Sequence, residues 1–507
     1  MKKALLALLT LLFLFPFSAC ADVSEEEEES FDEGLVSEVV EETETGDASV
    51  SSFALPYLSS QTLDPVACLD GVQQTVGSLL YEGLFVLDES FEPQPMLCTA
   101  FEYDAETRTY RFALRSEALF SDGSPLTAAD VLATLRRAQE SDRYAARFTS
   151  VESMHTSGST LVVTLTEDNA FFPALLDIPI VKAGTESALV PLGTGPYLFT
   201  NDSTGASLTA NGNWWRGKAL PLAHIPLASV KDNATAAHLF SSHNVQLLCT
   251  DLTSSDAPAV GGKIAVREVP TGVMQFLGFN TASPLLADAA LRSAISEAID
   301  RSDLAAAYLS GHAIPAQFPL SPVSSRYPAS LEKEVSADNY RRLLSEAGIS
   351  AEKPRKLTLL VNEENAFKVS VAARIAETLS VDGLSISLKA LPWNEYLGAL
   401  QSGNFDLYYG EVRLTADWNC TALLHTLGAL NYGGSGSEEM DSLLADFLSG
   451  RDSAAYLNSF AANTPIAPIA FETLSVLSPE GMVENLSPTA ASLFYRIEDW
   501  QFHLTEE

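Results

Sequence analysis

The chain has 507 residues, with 66 Asp or Glu against 30 Lys or Arg and a formal net charge of −36. Such acidity argues against nucleic-acid binding, which requires a basic surface facing the phosphates. The length exceeds what one hydrophobic core supports, so we expect two or three domains.

The N-terminus has the pattern of a secretion signal. Lys2 and Lys3 precede an apolar run that is shorter than the roughly 20 residues of a membrane-spanning helix. Small residues then stand directly before Cys20, as in a bacterial lipobox. We therefore expect residues 1–19 to be a lipoprotein signal peptide and Cys20 to be lipidated, which would anchor an exported protein to a bacterial membrane, at the cell surface or in the periplasm. The alternative is ordinary signal cleavage without a lipid.

An acidic segment follows. Residues 21–50 contain thirteen Asp or Glu and no Lys or Arg. Low hydrophobicity and self-repelling charge keep such a segment extended. We therefore predict that residues 20–50 form a disordered tether.

A strand, a turn and a capped helix are predicted near residue 120. Residues 110–115 alternate apolar and polar side chains, which is typical of a half-buried strand. Asp122 and Gly123 indicate a tight turn, since glycine adopts a positive φ easily. Thr127 with Asp130 three residues later predicts a capping box at the start of a helix. This is an element of the fold and names no ligand.

The second half of the chain alternates strands and helices. Residues 357–361 predict a strand, 367–379 a helix and 384–389 another strand. A helix at 337–347 is expected to end at Gly348, where glycine accepts a left-handed conformation. The β-α-β order predicts α/β architecture.

Short motifs distributed along the chain resemble one protein family. Residues 120–131 read FSDGSPLTAADV and resemble a landmark of the extracellular solute-binding proteins that serve peptide-type ABC importers, known as family 5. The other matching motifs occur in the family's order, which chance does not explain. They lie at residues 63–65, 80–85, 93–97, 193–197, 213–217, 291–295, 343–348, 403–407 and 440–444.

The resemblance implies a bilobal periplasmic-binding-protein-like fold of the α/β class, with an interlobe cleft and an extra insert subdomain. The chain would cross between the lobes near Thr271 and Pro465. By the family pattern, lobe I comprises residues 51–75, 195–270 and 466–507, its insert subdomain comprises 76–194, and lobe II comprises 271–465.

The resemblance also implies ligand contacts. In this family an acidic side chain meets the ammonium group of a peptide, because a desolvated ammonium needs a charge-assisted partner. The matching segment assigns that contact to Asp417; the alternative is a turn or N-cap residue before a helix at 421–427. Trp214 and Trp215 are expected in core packing. The other ligand-binding candidates are Trp418, Trp393, Tyr432, Asn431, Gly433 and, on the first strand, Tyr57.

A basic partner for a ligand carboxylate is harder to find in the sequence. Some peptide binders of this family carry an arginine shortly before the helix predicted at 367–379, where this chain has none. Lys368 or Arg413 could replace it, although either could equally be a solvated surface charge. If neither does, the ligand would be a longer peptide, a glycoside or a metal chelate.

Four cysteines remain besides Cys20. In an exported chain Cys68, Cys98, Cys249 and Cys420 could form disulfides in three pairings, and buried free thiols are an equally good interpretation. The sequence cannot choose among the pairings; we select Cys68 with Cys249, because this bond would join two parts of lobe I. The absence of a C-x-x-C motif argues against a zinc or redox centre.

The sequence contains no convincing catalytic, cofactor or metal motif. We therefore expect a monomeric, non-enzymatic receptor that binds a peptide or similar small solute without a cofactor and docks on an ABC permease in the membrane. The alternatives are a metal-chelate or oligosaccharide receptor of the same fold and a surface peptide sensor or adhesin. A hydrolase is disfavoured, because no base, nucleophile and orienting group cluster in one motif.

Overall fold

The computed structural model describes residues 52–504; the predicted signal peptide, Cys20 and the acidic tether lie outside the described residues. The strands are β1 (Leu55–Tyr57), β2 (Phe85–Leu87), β3 (Pro93–Pro95), β4 (Cys98–Asp104), β5 (Thr109–Leu114), β6 (Val151–Ser157), β7 (Thr160–Leu165), β8 (Tyr197–Asp202), β9 (Gly205–Ala210), β10 (His224–Ser229), β11 (Leu248–Thr250), β12 (Ile264–Phe279), β13 (Ala313–Pro315), β14 (Arg355–Asn362), β15 (Leu384–Leu391), β16 (Leu407–Arg413), β17 (Ile466–Pro479), β18 (Val483–Glu484) and β19 (Gln501–Phe502).

The α-helices of the same region are mostly short and carry side-chain caps. They are α1 (Gly71–Gly77), α2 (Ala128–Gln139), α3 (Asn233–Ser241), α4 (Ala289–Ala298), α5 (Arg301–Asp303), α6 (Ala337–Glu346), α7 (Ala366–Leu379), α8 (Trp393–Gln401), α9 (Thr421–Leu424), α10 (Glu438–Leu448) and α11 (Ser453–Asn463). Short 3₁₀ turns occur at Ala145–Phe148, Phe172–Leu175, Ala329–Leu331 and Ile497–Asp499, and a π turn at Leu304–Tyr308. No helix among residues 52–504 combines the length and apolar character needed to cross a membrane.

The largest sheet has seven strands in the order β11-β17-β12-β16-β14-β15, with β13 also paired to β17. Its long strands β12 and β17 run antiparallel, and their register shifts between Pro270 and Met274. At that irregularity the Thr271 hydroxyl donates to the Glu472 carbonyl over 2.7 Å. The predicted chain crossings near Thr271 and Pro465 therefore fall on or beside this strand pair.

Helices cover both faces of this sheet. Leu359 and Leu360, adjacent on β14, point into different cores, because successive side chains of a strand face opposite ways. Helices α4, α6 and α7 pack over the Leu359 face, and α8, α10 and α11 pack over the Leu360 face. This double burial explains why β14 reads as a nearly continuous apolar run.

A separate antiparallel sheet, β4-β5-β7-β6, lies within the predicted insert. Tyr110 and Phe112 of β5 pack with α2 in its core. The predicted capping box is confirmed, because the Thr127 side chain accepts from the Asp130 amide while the Asp130 carboxylate accepts from the Thr127 amide. Gly123 has the positive φ, +81°, that its turn requires.

The third major sheet has the order β1-β10-β9-β8. The C-terminal residues Phe494 and Trp500 pack with β1 and β10 in one core. The strands of this sheet and the C-terminal residues that pack on it therefore come from distant parts of the chain. The residue limits of the two lobes and the insert stay predictions.

The predicted disulfide between Cys68 and Cys249 is wrong. All four cysteines of the described region are free thiols. The Cys68 thiol instead donates to the Asp70 carbonyl beside α1, while Cys249 lies on β11 opposite Val476. Burial raises the pKa of the Cys249 thiol to about 12, which makes it a packed, unreactive side chain.

Candidate functional site

Asp417, the predicted ammonium contact, is buried at 1 % exposure just beyond the end of β16. Its carboxylate accepts hydrogen bonds from the Asn169 side-chain amide at 2.9 Å and from the Thr415 hydroxyl at 2.5 Å. The Asn419 amide also donates to it, at 3.3 Å. Internal donors therefore already occupy this carboxylate.

Trp418 is also buried and does not line an open surface. Its ring packs edge-on against Phe91 at 5.0 Å and against Phe471 at 5.8 Å. The backbone at Trp418 has a left-handed φ of +59°, and the indole N–H has no hydrogen-bond partner in the described structure. Trp418 is thus a core residue in this conformation.

Trp393 and Tyr432 are both half-buried and pack against the same hydrophobic core. Trp393 opens α8 and stacks at a tilt on Tyr396, 5.9 Å away. Tyr432 meets Tyr408 edge-on at 6.3 Å. Their partial exposure is compatible with ligand contact, and their role remains a prediction.

The loop that contains Asn431 and Gly433 packs on the end of β12. The Asn431 side-chain amide donates to the His425 carbonyl at 3.1 Å. The Thr281 hydroxyl donates to the Gly433 carbonyl at 2.8 Å, and a Cβ at Gly433 would lie only 2.0 Å from the Phe279 carbonyl oxygen. Close packing of backbone on backbone is sufficient reason for a glycine here.

Tyr57 is placed apart from these residues. It is 3 % exposed on β1 and packs against Phe199 at 5.6 Å. Burial raises the pKa of its hydroxyl. Trp393 and Tyr432 therefore border one hydrophobic core, whereas Tyr57 belongs to the core of a different sheet.

A group of charged side chains surrounds the C-terminal end of β16. Lys368, at the start of α7, pairs with the carboxylate of Glu411 on β16, and its ammonium lies 4.0 Å from Glu472 on β17. The Gln275 amide donates to Glu472 at 2.5 Å, and the Tyr409 hydroxyl donates to Gln275. Sequence reasoning named Lys368 as a possible anchor but missed Glu472, because only the sheet brings β17 beside β16 and α7.

These charges shift one another's protonation. Burial, followed by the neighbouring Glu411, raises the pKa of Glu472 well above its usual value. Burial is also the largest influence on Glu411 and opposes its ionisation, but Lys368, a hydrogen bond with Glu472 and the charge of Arg413 together lower the pKa of Glu411. For Lys368 burial favours the neutral amine, yet Glu411 and Glu472 leave the pKa raised. An ionised Lys368–Glu411 pair beside a protonated Glu472 is the arrangement that fits these directions.

Arg413, the last residue of β16, is the member of this group whose side chain has no hydrogen-bond or ion-pair partner among the described residues 52–504. Its backbone pairs with Val273 of β12. Protein surrounds it although the side chain still reaches solvent, and this burial lowers the pKa of its guanidinium. Glu472 and Glu411 oppose that shift, whereas Arg143 and Arg147 add to it by repulsion.

Arg143 and Arg147 come from the predicted insert. Arg147 pairs with Asp177, whereas Arg143 donates to the Pro65 and Cys68 carbonyls and has no carboxylate partner among the described residues. An exposed guanidinium without a hydrogen-bonded partner can bind a carboxylate or a phosphate, which arginine engages through paired N–H groups.

A cavity of about 100 Å³ has Arg143, but neither Arg147 nor Arg413, in its wall. Arg143 and Asp177 contribute to its wall, together with α1, the buried carboxylate of Glu82 and the C-terminal segment around Tyr495. No cluster of three His, Cys, Asp or Glu side chains suited to a metal ion occurs in the part of the chain that the structure describes.

Comparison with known proteins identifies the family. Residues 92–429 match the family described as bacterial extracellular solute-binding proteins, family 5, and the chain belongs to it. The glutathione-binding protein GsiB of Pectobacterium atrosepticum is 26 % identical over 310 residues, which are 57 % of this chain and 59 % of that protein. The chain thus spans about three-fifths of the length of the curated relatives it matches.

Solved structures show the same fold. A protein described as a nickel ABC transporter from Bacillus halodurans superposes with a TM-score of 0.73 at 18 % identity, covering 87 % of this chain and 98 % of that one. The oligopeptide-binding protein AppA of Bacillus subtilis, in complex with a nonapeptide, gives a TM-score of 0.59 at 19 % identity and covers 90 % and 100 %.

The family and the fold class predicted from sequence are confirmed. The chain has the bilobal α/β fold of family 5 solute-binding proteins. Members of this family are substrate-binding proteins and not enzymes, and we assign the chain to that class.

Proposed function

We propose that the protein is the receptor of an ABC importer and that it binds a small solute bearing a carboxylate, most simply a peptide. Its ligand lies beside Arg413 and bridges β16 of lobe II to the arginines of the insert. The loaded receptor then docks on a membrane permease. Binding can favour a closed form only if the ligand has higher affinity for that form than for the open one.

The observation that carries this proposal is the guanidinium of Arg413, which has no hydrogen-bond or ion-pair partner among the described residues and is repelled by Arg143 and Arg147. Three like charges repel one another, and Arg143 has only neutral acceptors. A bound carboxylate relieves this repulsion and accepts the unused N–H groups. A charge-assisted hydrogen bond of this kind contributes about 1.5–3 kcal/mol.

The names of similar proteins agree with a carboxylate ligand. The matched relative is named for glutathione, and a structural neighbour holds a nonapeptide. Both compounds have free carboxylates. A metal chelate built on carboxylate ligands would meet the same arginines, so the nickel-named neighbour is consistent with the same site chemistry.

The direct test is native mass spectrometry of the protein purified without unfolding, followed by calorimetry with glutathione and with an equimolar tripeptide pool. We expect a retained carboxylate-bearing ligand or measurable binding of one probe. Arg413→Ala should weaken binding by about tenfold or more, as expected for a lost charge-assisted bond. The matched control is Arg355→Ala, an exposed arginine at the start of β14.

Equal affinities for the native protein and Arg413→Ala would refute the site. A retained neutral oligosaccharide would refute the carboxylate class while leaving the importer role intact. If the protein holds no solute and binds neither probe, a sensor or adhesin role becomes the better hypothesis.

Membrane anchoring is part of the same proposal. Cys20 follows small residues at the end of an apolar run, and the thirty acidic-rich residues after it can lift the folded part from a surface. Cys20→Ser should move the exported protein from the membrane fraction to the soluble fraction. Release of the unaltered protein by a salt wash alone would contradict a lipid anchor.

A further inference from the structure

One segment of the predicted insert docks directly on lobe II. Residues 168–171 lie between β7 and the turn Phe172–Leu175. The Ala170 amide donates a hydrogen bond to the Leu448 carbonyl at 2.8 Å. Arg451 forms an ion pair with Asp168 at 3.1 Å. The Arg326 guanidinium lies 3.7 Å from the centre of the Phe171 ring in a cation–π contact.

Asn169 stands at the centre of this segment. It is 3 % exposed, and its side-chain oxygen accepts the Phe171 amide at 2.9 Å. Its carbonyl accepts the Tyr110 hydroxyl of β5 at 2.8 Å. These bonds fix the orientation in which its side-chain amide reaches the Asp417 carboxylate at 2.9 Å.

The Asp417 carboxylate is ringed by neutral donors only. The nearby cation, Arg326, donates to the backbone carbonyls of Ala416 and Asp417 at 3.2 and 3.5 Å and forms no ion pair with the carboxylate. A buried carboxylate without a cationic partner keeps much of its desolvation cost. A ligand ammonium would be a stronger partner than the neutral amide of Asn169.

We propose that Asn169 is a specificity-determining residue that competes with a ligand's amino-terminal ammonium for the Asp417 carboxylate. With the segment docked, the carboxylate is closed to ligands. An ammonium group reaches it only after the Asn169 amide withdraws. The native protein therefore discriminates weakly between ligands with free and blocked amino termini. This inference rests on the proposed peptide-binding function.

Calorimetry on the full chain tests the competition. The probes are an equimolar tripeptide pool and the same pool after N-acetylation. Asn169→Ala should raise the affinity for the free pool relative to the acetylated pool by about tenfold, the scale of one charge-assisted bond. Asn169→Ser keeps a short donor and should give a smaller gain.

The matched control is Asn211→Ala. Asn211 is a buried asparagine whose side-chain amide donates to the Gly195 carbonyl, far from Asp417 in sequence and absent from its contacts. This variant should leave the ratio of the two affinities unchanged. A thermal unfolding scan of each variant confirms that it is folded, and the Ser variant carries the test if the Ala variant is not.

The outcomes separate the two proposals. If both pools bind and the ratio is the same in the native protein and in the folded Asn169 variants, the competition is refuted while peptide binding stands. If neither pool binds to any variant, the proposed peptide function is refuted, and this inference is refuted as well because it depends on that function. A gain for the acetylated pool equal to that for the free pool also refutes the competition, because acetylation removes the charge.

Discussion

The indole N–H of Trp214 donates to the carboxylate of Glu82 at 2.9 Å, across 132 residues of chain. The indole of Trp215 and the hydroxyl of Thr194 donate to the same carboxylate at 2.8 and 2.9 Å. Trp214 is buried in the core, as expected from the sequence, and its indole N–H also supplies a hydrogen bond to the buried carboxylate of Glu82. Burial still raises the pKa of Glu82 despite these three donors.

Glu82→Gln is expected to destabilise the protein by about 1–3 kcal/mol, because one acceptor oxygen becomes an amide that faces a donor. Urea unfolding at neutral pH measures the change. Glu102→Gln, on the exposed face of β4, should have no measurable effect. Equal stability of the Glu82→Gln variant and the native protein would mean that the buried acid is not a structural acceptor.

Glu472→Gln should change how stability depends on pH. A carboxyl whose folded pKa is raised favours folding below its unfolded pKa, near 4.5, and this contribution is lost as pH rises through the folded value. The Gln variant mimics the protonated acid, so its stability relative to the native protein should increase as pH rises above 4.5.

Urea unfolding at several pH values between about 4 and 9 measures this difference, a range that begins near the unfolded pKa of a glutamate. Glu363→Gln, an exposed acid, serves as the control and should give a difference that does not vary with pH. A flat difference for Glu472→Gln as well would show that folding does not raise the pKa of Glu472.

Trp418→Phe should be tolerated better than its burial suggests. The indole N–H has no partner, so its removal offsets part of the packing lost with the smaller ring. We expect a loss of less than about 1.5 kcal/mol, against about 3–5 kcal/mol for Trp418→Ala. Trp500→Phe is the matched comparison, because its indole donates to the Tyr495 carbonyl, and it should cost more than Trp418→Phe in chemical denaturation.

Gly433→Ala should be strongly destabilising, because its Cβ would lie 2.0 Å from the Phe279 carbonyl oxygen. A Cβ at Gly398 of α8 meets no atom within 4 Å, so Gly398→Ala should stabilise the protein by up to about 1 kcal/mol. Thermal unfolding of both variants measures the contrast. A Gly433→Ala protein with the native melting temperature would show that this loop moves readily off β12.

Local patterns predicted local structure well. Thr127 and Asp130 form their capping box, and the β-α-β order at 357–389 is β14, α7 and β15. In each case neighbouring residues supply both the signal and the interaction. The disulfide prediction failed because pairing Cys68 with Cys249 depends on how the loop before α1 lies relative to β11, which no local pattern encodes.

The candidate site was predicted only in part. Lys368 and Arg413 were named as alternatives, and the structure distinguishes them, because Lys368 pairs with Glu411 while Arg413 is unpaired. The segment around Asp417 was found by resemblance, but its partner Asn169 lies 248 residues away. No periodicity links two residues at that separation.

The sequence by itself determined the family, the α/β class and the acidic character, because these depend on composition and on short motifs. Only the tertiary structure decided which charges remain available for a ligand. Burial and pairing of side chains from β16, β17, α7 and the insert satisfy Lys368, Glu411 and Asp417 internally and leave Arg413 free. A charged group is available or satisfied according to its neighbours in space, and folding alone supplies those neighbours.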